Sequence, residues 1–171
     1  MILNNWTILG IQSTIGLVLY TLIFFWYVQP RLSKSPFEKA VLPLLLLHVF
    51  RFAGFALLVV GQVDPSLPRQ ALSAIAYGDL LAGLSALIAA LALRGKSSLA
   101  VPLIWLFTFI GVADIVNVGR IAIGLDLFNQ YIGTMWFVSI LFFPTLLIAH
   151  IYIVYRLLNK GNEDLKRIEN T

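Results

Sequence analysis

Six ionisable or strongly polar side chains lie within otherwise oily stretches of this sequence: His48, Arg51, Asp79, Asp114, Asn117 and His150. A guanidinium can hold a carboxylate or an anionic ligand through paired hydrogen bonds. A buried carboxylate without a cation of its own takes up a proton or a counter-ion. An imidazole relays protons or ligates a metal. His48 and Arg51 sit three residues apart in AVLPLLLLHVFRFAGFALLVV, on one helical face. A charge at a bilayer centre costs at least about 2.5–3.5 kcal/mol by insertion scales, so each such group needs partners from other helices. Two Asp against one Arg leaves a surplus of one negative charge in this set. That surplus calls for a proton, an imidazolium, a bound cation or a cationic ligand.

The elements that must position these groups follow from composition. The chain has 171 residues, of which 60% are apolar and 12% charged, whereas soluble domains run near a quarter charged. An integral membrane protein forming one compact bundle is the class that fits. The net charge of +4 is carried by residues between and after the apolar runs, which favours anionic lipid headgroups as partners and excludes nucleic acid. With no cysteine, disulfides, thiolate metal sites, iron–sulfur clusters and thiol chemistry are excluded. The opening MILNNWTILG lacks the positive region and small-residue cleavage site of a signal peptide, so the first apolar run is expected to be retained.

Five runs are long enough to span, near 7–28, 40–60, 70–93, 100–119 and 131–155. The reading is an all-α bundle of five transmembrane helices forming a single domain over 1–160, with a short solvated tail over 161–171. Arg31, Lys34, Lys39, Arg94, Lys96, Arg156, Lys160, Lys166 and Arg167 fall at one end, and only Arg69 and Arg120 flank the other. This bias predicts the N-terminus outside and the C-terminus cytoplasmic. The first span carries no charge and reads as a packing or lipid-facing helix. In the third, Ala74, Gly78, Ala82, Ala86 and Ala90 recur every fourth residue, a spacing that lets backbones approach; it is expected to be central, with Gly54 and Gly61 also serving packing. Pro144 predicts a kink in the fifth span that frees a carbonyl.

At 1.5 Å per residue, His48 and His150 lie roughly 12 and 8 Å from the cytoplasmic edge, and Arg51 and Asp79 near the midplane. Asp114 and Asn117 come nearer the outer side. Two layers follow, joined by the shared face of His48 and Arg51, and Tyr77 is placed in the same pocket. The function expected is binding of a small polar or ionic ligand, with proton- or cation-linked transport as its extension; no catalytic step is assigned. Such a short chain points to a homo-oligomer for a complete pathway. Two alternatives stand beside it: a b-type haem electron carrier with His48 and His150 as axial ligands, and a structural or assembly subunit without a small ligand. No lysine lies inside a span, which argues against an internal Schiff base. No H-E-x-x-H occurs, and Ser73, Ser85 and Ser139 have no histidine at matching depth, so metal-hydrolase and serine-nucleophile readings are not supported.

The segments LHVFRFAGF, PRQALSAIAYGDLLAG and LLIAH resemble a pattern found in small, uncharacterised bacterial multispanning membrane proteins, over residues 45–151. The resemblance implies a bacterial cytoplasmic membrane and brings no function. The five-span count invites comparison with the translocator proteins that bind porphyrins and sterols, but the proline- and tryptophan-rich signatures of that family are not present.

Overall fold

Apolar runs punctuated by Pro36, Pro68, Gly95 and Gly133 give five helices, each long and apolar enough to cross a membrane. They are α1 (Asn5–Ser33), α2 (Phe37–Leu58), α3 (Arg69–Arg94), α4 (Ala100–Gly124) and α5 (Met135–Lys160). The structure, a computed structural model, describes residues 3–169, with side chains only as far as residue 160. Backbone helix continues from α5 to Glu169; the solvated character expected of the 161–171 tail lies outside the described side chains. No strand occurs among the described residues.

α1, α3 and α4 run past the expected ends, whereas α2 stops at Leu58 and α5 begins only at Met135. Pro30 should stop α1, since proline removes the hydrogen bond to residue i−4. A five-residue π segment, Phe24–Val28, absorbs the missing bond, and the helix continues to Ser33. The same device precedes Pro144, where Val138–Phe142 winds as a π segment. The carbonyl freed there is that of Ile140, and it lies 3.0 Å from where a Cβ on Gly16 would stand. The expected kink is thus a π turn, and a glycine on α1 closes over the exposed backbone.

α3 lies between α2 and α4, while α5 packs against α2 and α4 and α1 rests on α5. The small-residue row explains the central place of α3: Ala82, Ala86, Ala89 and Ala90 are fully enclosed. Ala74 is exposed and takes no part. The segment Asn5–Ile23 of α1 buries no residue, as its uncharged sequence suggests for a helix on the rim.

α2 changes its winding halfway. Phe37–Val49 is α-helical and Phe50–Leu58 is a nine-residue 3-10 helix, where runs beyond three or four residues are uncommon. The buried positions of the second half are Arg51, Gly54 and Leu57, continuing from the enclosed His48 at a period of three. An α-helix would rotate such a series around its surface, whereas 3-10 winding eclipses i and i+3 and keeps it in one line. Gly83 of α3 seats directly on this switch, its missing Cβ leaving 3.1 Å to the Val49 carbonyl.

Two apolar clusters fill the bundle. One joins Leu45, Ala86, Phe107 and Ile153 near the first and third connections. The other joins Leu57, Ile75, Ile121 and Met135 near the second and fourth. Along α2, α3 and α4, the polar residues fall between these two plugs.

Candidate functional site

Arg51 leaves the 3-10 half of α2 and reaches two neighbouring helices. Its Nε donates to Asp79 Oδ1 of α3 at 3.0 Å, and its Nη2 pairs with Asp114 Oδ2 of α4. The three side chains differ in exposure: 5% for Arg51, 4% for Asp114 and 21% for Asp79. Asp79 is therefore the member of the triad that opens toward the surface of the bundle. One guanidinium serves two carboxylates, so the charge surplus expected from the sequence sits on one physical cluster.

The two imidazoles lie beside this cluster. His48 is fully enclosed and His150 nearly so. Their rings meet edge to face with centroids 5.2 Å apart, and Phe107 packs on both, at 4.9 Å and 5.2 Å. A point on α4, where a Cβ on Gly111 would stand, lies 2.8 Å from His150 Cε1 and 3.5 Å from Arg51 Nη1. That shared neighbour makes the imidazole layer and the ion-pair layer one continuous chamber.

Hydrogen bonding in the chamber is incomplete. Both ring nitrogens of His48, both of His150, Thr108 Oγ1 and Asp114 Oδ1 are buried without a protein partner. Buried polar groups are nearly always paired, and an unpaired one costs roughly 1–3 kcal/mol. These atoms lie close together on α2, α4 and α5.

Three glycines make the chamber possible. A Cβ on Gly54 of α2 would overlap the carboxylate of Asp79, and one on Gly78 of α3 would overlap Asp114 Oδ1. Gly111 of α4 stands in the same relation to His150 of α5. Each helix thus offers a notch to the polar side chain of the next, and the charged groups lie against bare backbone.

Of the seven residues expected to form a site, His48, Arg51, Asp79, Asp114 and His150 are brought together. Tyr77 is not: it is 59% exposed and packs edge-on against Phe55, with ring centroids 5.4 Å apart, on the outside of the bundle. Two residues before Asp79 on a helix is about 200° around the axis, which turns Tyr77 away from the chamber. Asn117 is only half-buried and accepts from Arg120 at 3.1 Å, one turn beyond the triad. Phe107, Thr108 and the notch role of the glycines escaped the sequence reading. A signal was available: Gly54 follows Arg51 by three, Gly78 immediately precedes Asp79, and Gly111 precedes Asp114 by three.

The site does not fit a haem. Bis-imidazole ligation needs each ring to aim a nitrogen at one iron from opposite faces of a flat macrocycle. Here the rings touch edge to face with Phe107 against both, and no porphyrin plane passes between them. Among the described residues no three His, Asp or Glu side chains converge as a metal ion would require.

Residues 8–158 match a family model described as a domain of unknown function (DUF8737). No curated protein and no solved structure matches the chain.

Proposed function

The chain belongs to this family, whose description assigns no activity, and we propose from its interior that it binds a small cation or proton-linked polar ligand within the membrane. In this reading it is a multi-pass protein of a bacterial cytoplasmic membrane, N-terminus outside and C-terminus inside. Transport follows when copies assemble as a homo-oligomer. The observation that carries the reading is Arg51 shared between Asp79 and Asp114, with Asp114 Oδ1 unpartnered. An uncompensated carboxylate in a low-dielectric interior acquires a proton or a cation, and intramembrane ionisable groups of this kind mark ion and substrate routes. Asp79 supplies the opening, the negative charge left over when Arg51 is shared between Asp79 and Asp114 supplies the site for a proton or cation, and Arg51 is the fixed counter-charge. His48 and His150 extend proton exchange toward the cytoplasmic side.

The test is proton or cation uptake in proteoliposomes after a pH or salt step. Wild-type protein should respond, Asp114→Asn should lose the response, and Asp79→Asn should weaken it. Tyr77→Phe and Asn117→Ala should behave as wild type, because neither touches the triad. Full responses in both aspartate variants would sink the reading.

A second reading is favoured by a different fact: Arg51 ties α2, α3 and α4 together. On it the triad is an interhelical clamp and the chain a structural subunit. Arg51 variants would then lose stability, while no ion stabilised the wild type and vesicles showed no uptake.

A further inference from the structure

A second site lies far from the chamber, at the end of the bundle carrying the first and third connections. There α2, α3, α4 and the end of α5 border a half-open cavity of about 640 Å³, within the size range of small-ligand sites. Its rim holds Lys39, Arg94, Lys96 and Lys160 against the single carboxylate of Glu38, and its floor includes Leu42 and Val101. Lys160 is already engaged with Glu38 at 3.6 Å. Lys39, Arg94 and Lys96 make no ion pair among the described residues. The N-terminal turn of α4 begins at the same place, at Ala100, and adds the positive end of a helix dipole. Lys96 holds a left-handed backbone, φ 54, in the position after a helix end where glycine is the usual occupant.

A cationic rim over an apolar floor, at the end of membrane-length helices, matches an amphiphile with an anionic head. We propose that this groove holds one anionic phospholipid, its phosphate among Lys39, Arg94 and Lys96 and the start of an acyl chain along Leu42 and Val101. Basic pockets between membrane helices recognise phosphate headgroups by this chemistry. The site is independent of the ion-binding reading of the chamber and stands or falls without it.

The experiment is native mass spectrometry of the full chain released from vesicles of phosphatidylglycerol mixed with phosphatidylcholine. Wild-type protein should retain one phosphatidylglycerol and no phosphatidylcholine. Lys39→Gln/Arg94→Gln should reduce retention about tenfold, whereas Arg31→Gln/Lys34→Gln, with the same charge change at the same end but outside the groove, should leave it within about twofold. Equal loss in both double variants would reduce the effect to diffuse surface charge and overturn the proposal. A measurement on wild-type protein alone guards against a variant that fails to fold: phosphatidylglycerol should raise its melting temperature in detergent and phosphatidylcholine should not. Equal protection by millimolar inorganic phosphate would remove the acyl chain from the site and overturn the proposal in that form.

Discussion

The loop cap and the inner chamber are both polar clusters, and they are built on opposite rules. At the end that carries the second and fourth connections, loops are stitched by satisfied pairs. Trp6 Nε1 donates to Asp126 Oδ1 at 2.5 Å, and Asn129 Nδ2 reaches both Asp126 oxygens at 3.0 Å. Gln62 Nε2 donates to Thr134 Oγ1 at 2.8 Å, and the Asp64 amide donates to the Tyr131 carbonyl at 2.7 Å. The inner chamber, enclosed by helices except where Asp79 opens outward, holds six buried nitrogen and oxygen atoms without a protein partner among the described residues. Water could have served the exposed loops at little cost, yet they are paired, whereas several polar atoms of the interior meet no described protein group. The difference is that the loop cap is closed by contacts among its own side chains, whereas the chamber presents ring nitrogens and a carboxylate oxygen that the ion or proton of the proposed function would meet.

The largest effect should come from taking away the one cation of the chamber. Arg51→Met leaves two carboxylates facing each other in an enclosed space, and breaking a buried pair in this way costs about 3–5 kcal/mol. Thermal or denaturant unfolding in detergent measures it. The triple variant Arg51→Met/Asp79→Leu/Asp114→Leu should recover to within about 1 kcal/mol of wild type, since apolar replacement of a whole buried ionic set is often neutral or stabilising. It should also lose all ion uptake. A triple variant as unstable as the single one would make the chamber a structural clamp, like the loop cap, and erase the contrast.

The glycines separate the two regions at the next level. Gly78→Ala and Gly111→Ala place a methyl against Asp114 and His150, and overpacking of this kind costs about 1–3 kcal/mol. Gly119 lies on the same helix as Gly111 with nothing within 4 Å of a Cβ. Gly119→Ala should therefore be neutral or stabilising by up to about 1 kcal/mol, the helix-propensity gain. Equal effects at Gly111 and Gly119 would show that the notches are incidental.

How much of this was legible beforehand differs between the regions for physical reasons. Span count and a carboxylate partner for Arg51 follow from hydropathy and residue spacing, because a lone charge in lipid leaves few solutions. Whether one guanidinium served both acids did not follow, since that depends on the rotation of α3 and α4 about their axes. Tyr77 differs on the same ground: the rotation of α3 turns it out of the bundle against Phe55. The 3-10 half of α2 was written as the period-three series His48, Arg51, Gly54, Leu57, but a α-helical rise was assumed throughout. The long-range part of the loop cap is not legible, because its partners are up to 124 residues apart and loops carry no periodicity.

The smallest effect belongs to that cap and sets the pH range in which the chamber can be read. Hydrogen bonds from Trp6 and then Asn129 hold the Asp126 carboxyl below its ordinary range, and bonds from the Ser66 hydroxyl and amide do the same for Asp64. A carboxyl whose value is depressed on folding contributes stability above its unfolded value, and that contribution is lost as pH falls through the folded one. With an ordinary Asp value of about 3.9, the cap should be indifferent to pH from neutrality down to about 4 and weaken below it. Wild-type protein should hold a small, constant advantage in melting temperature over Asp126→Asn across the upper range, vanishing in the lower. A pH response between about 5 and 7 then does not come from Asp64 or Asp126 of the cap. If Asp126→Asn removed such a response, the titrating group would be in the loops, and the division of labour between cap and chamber would be reversed.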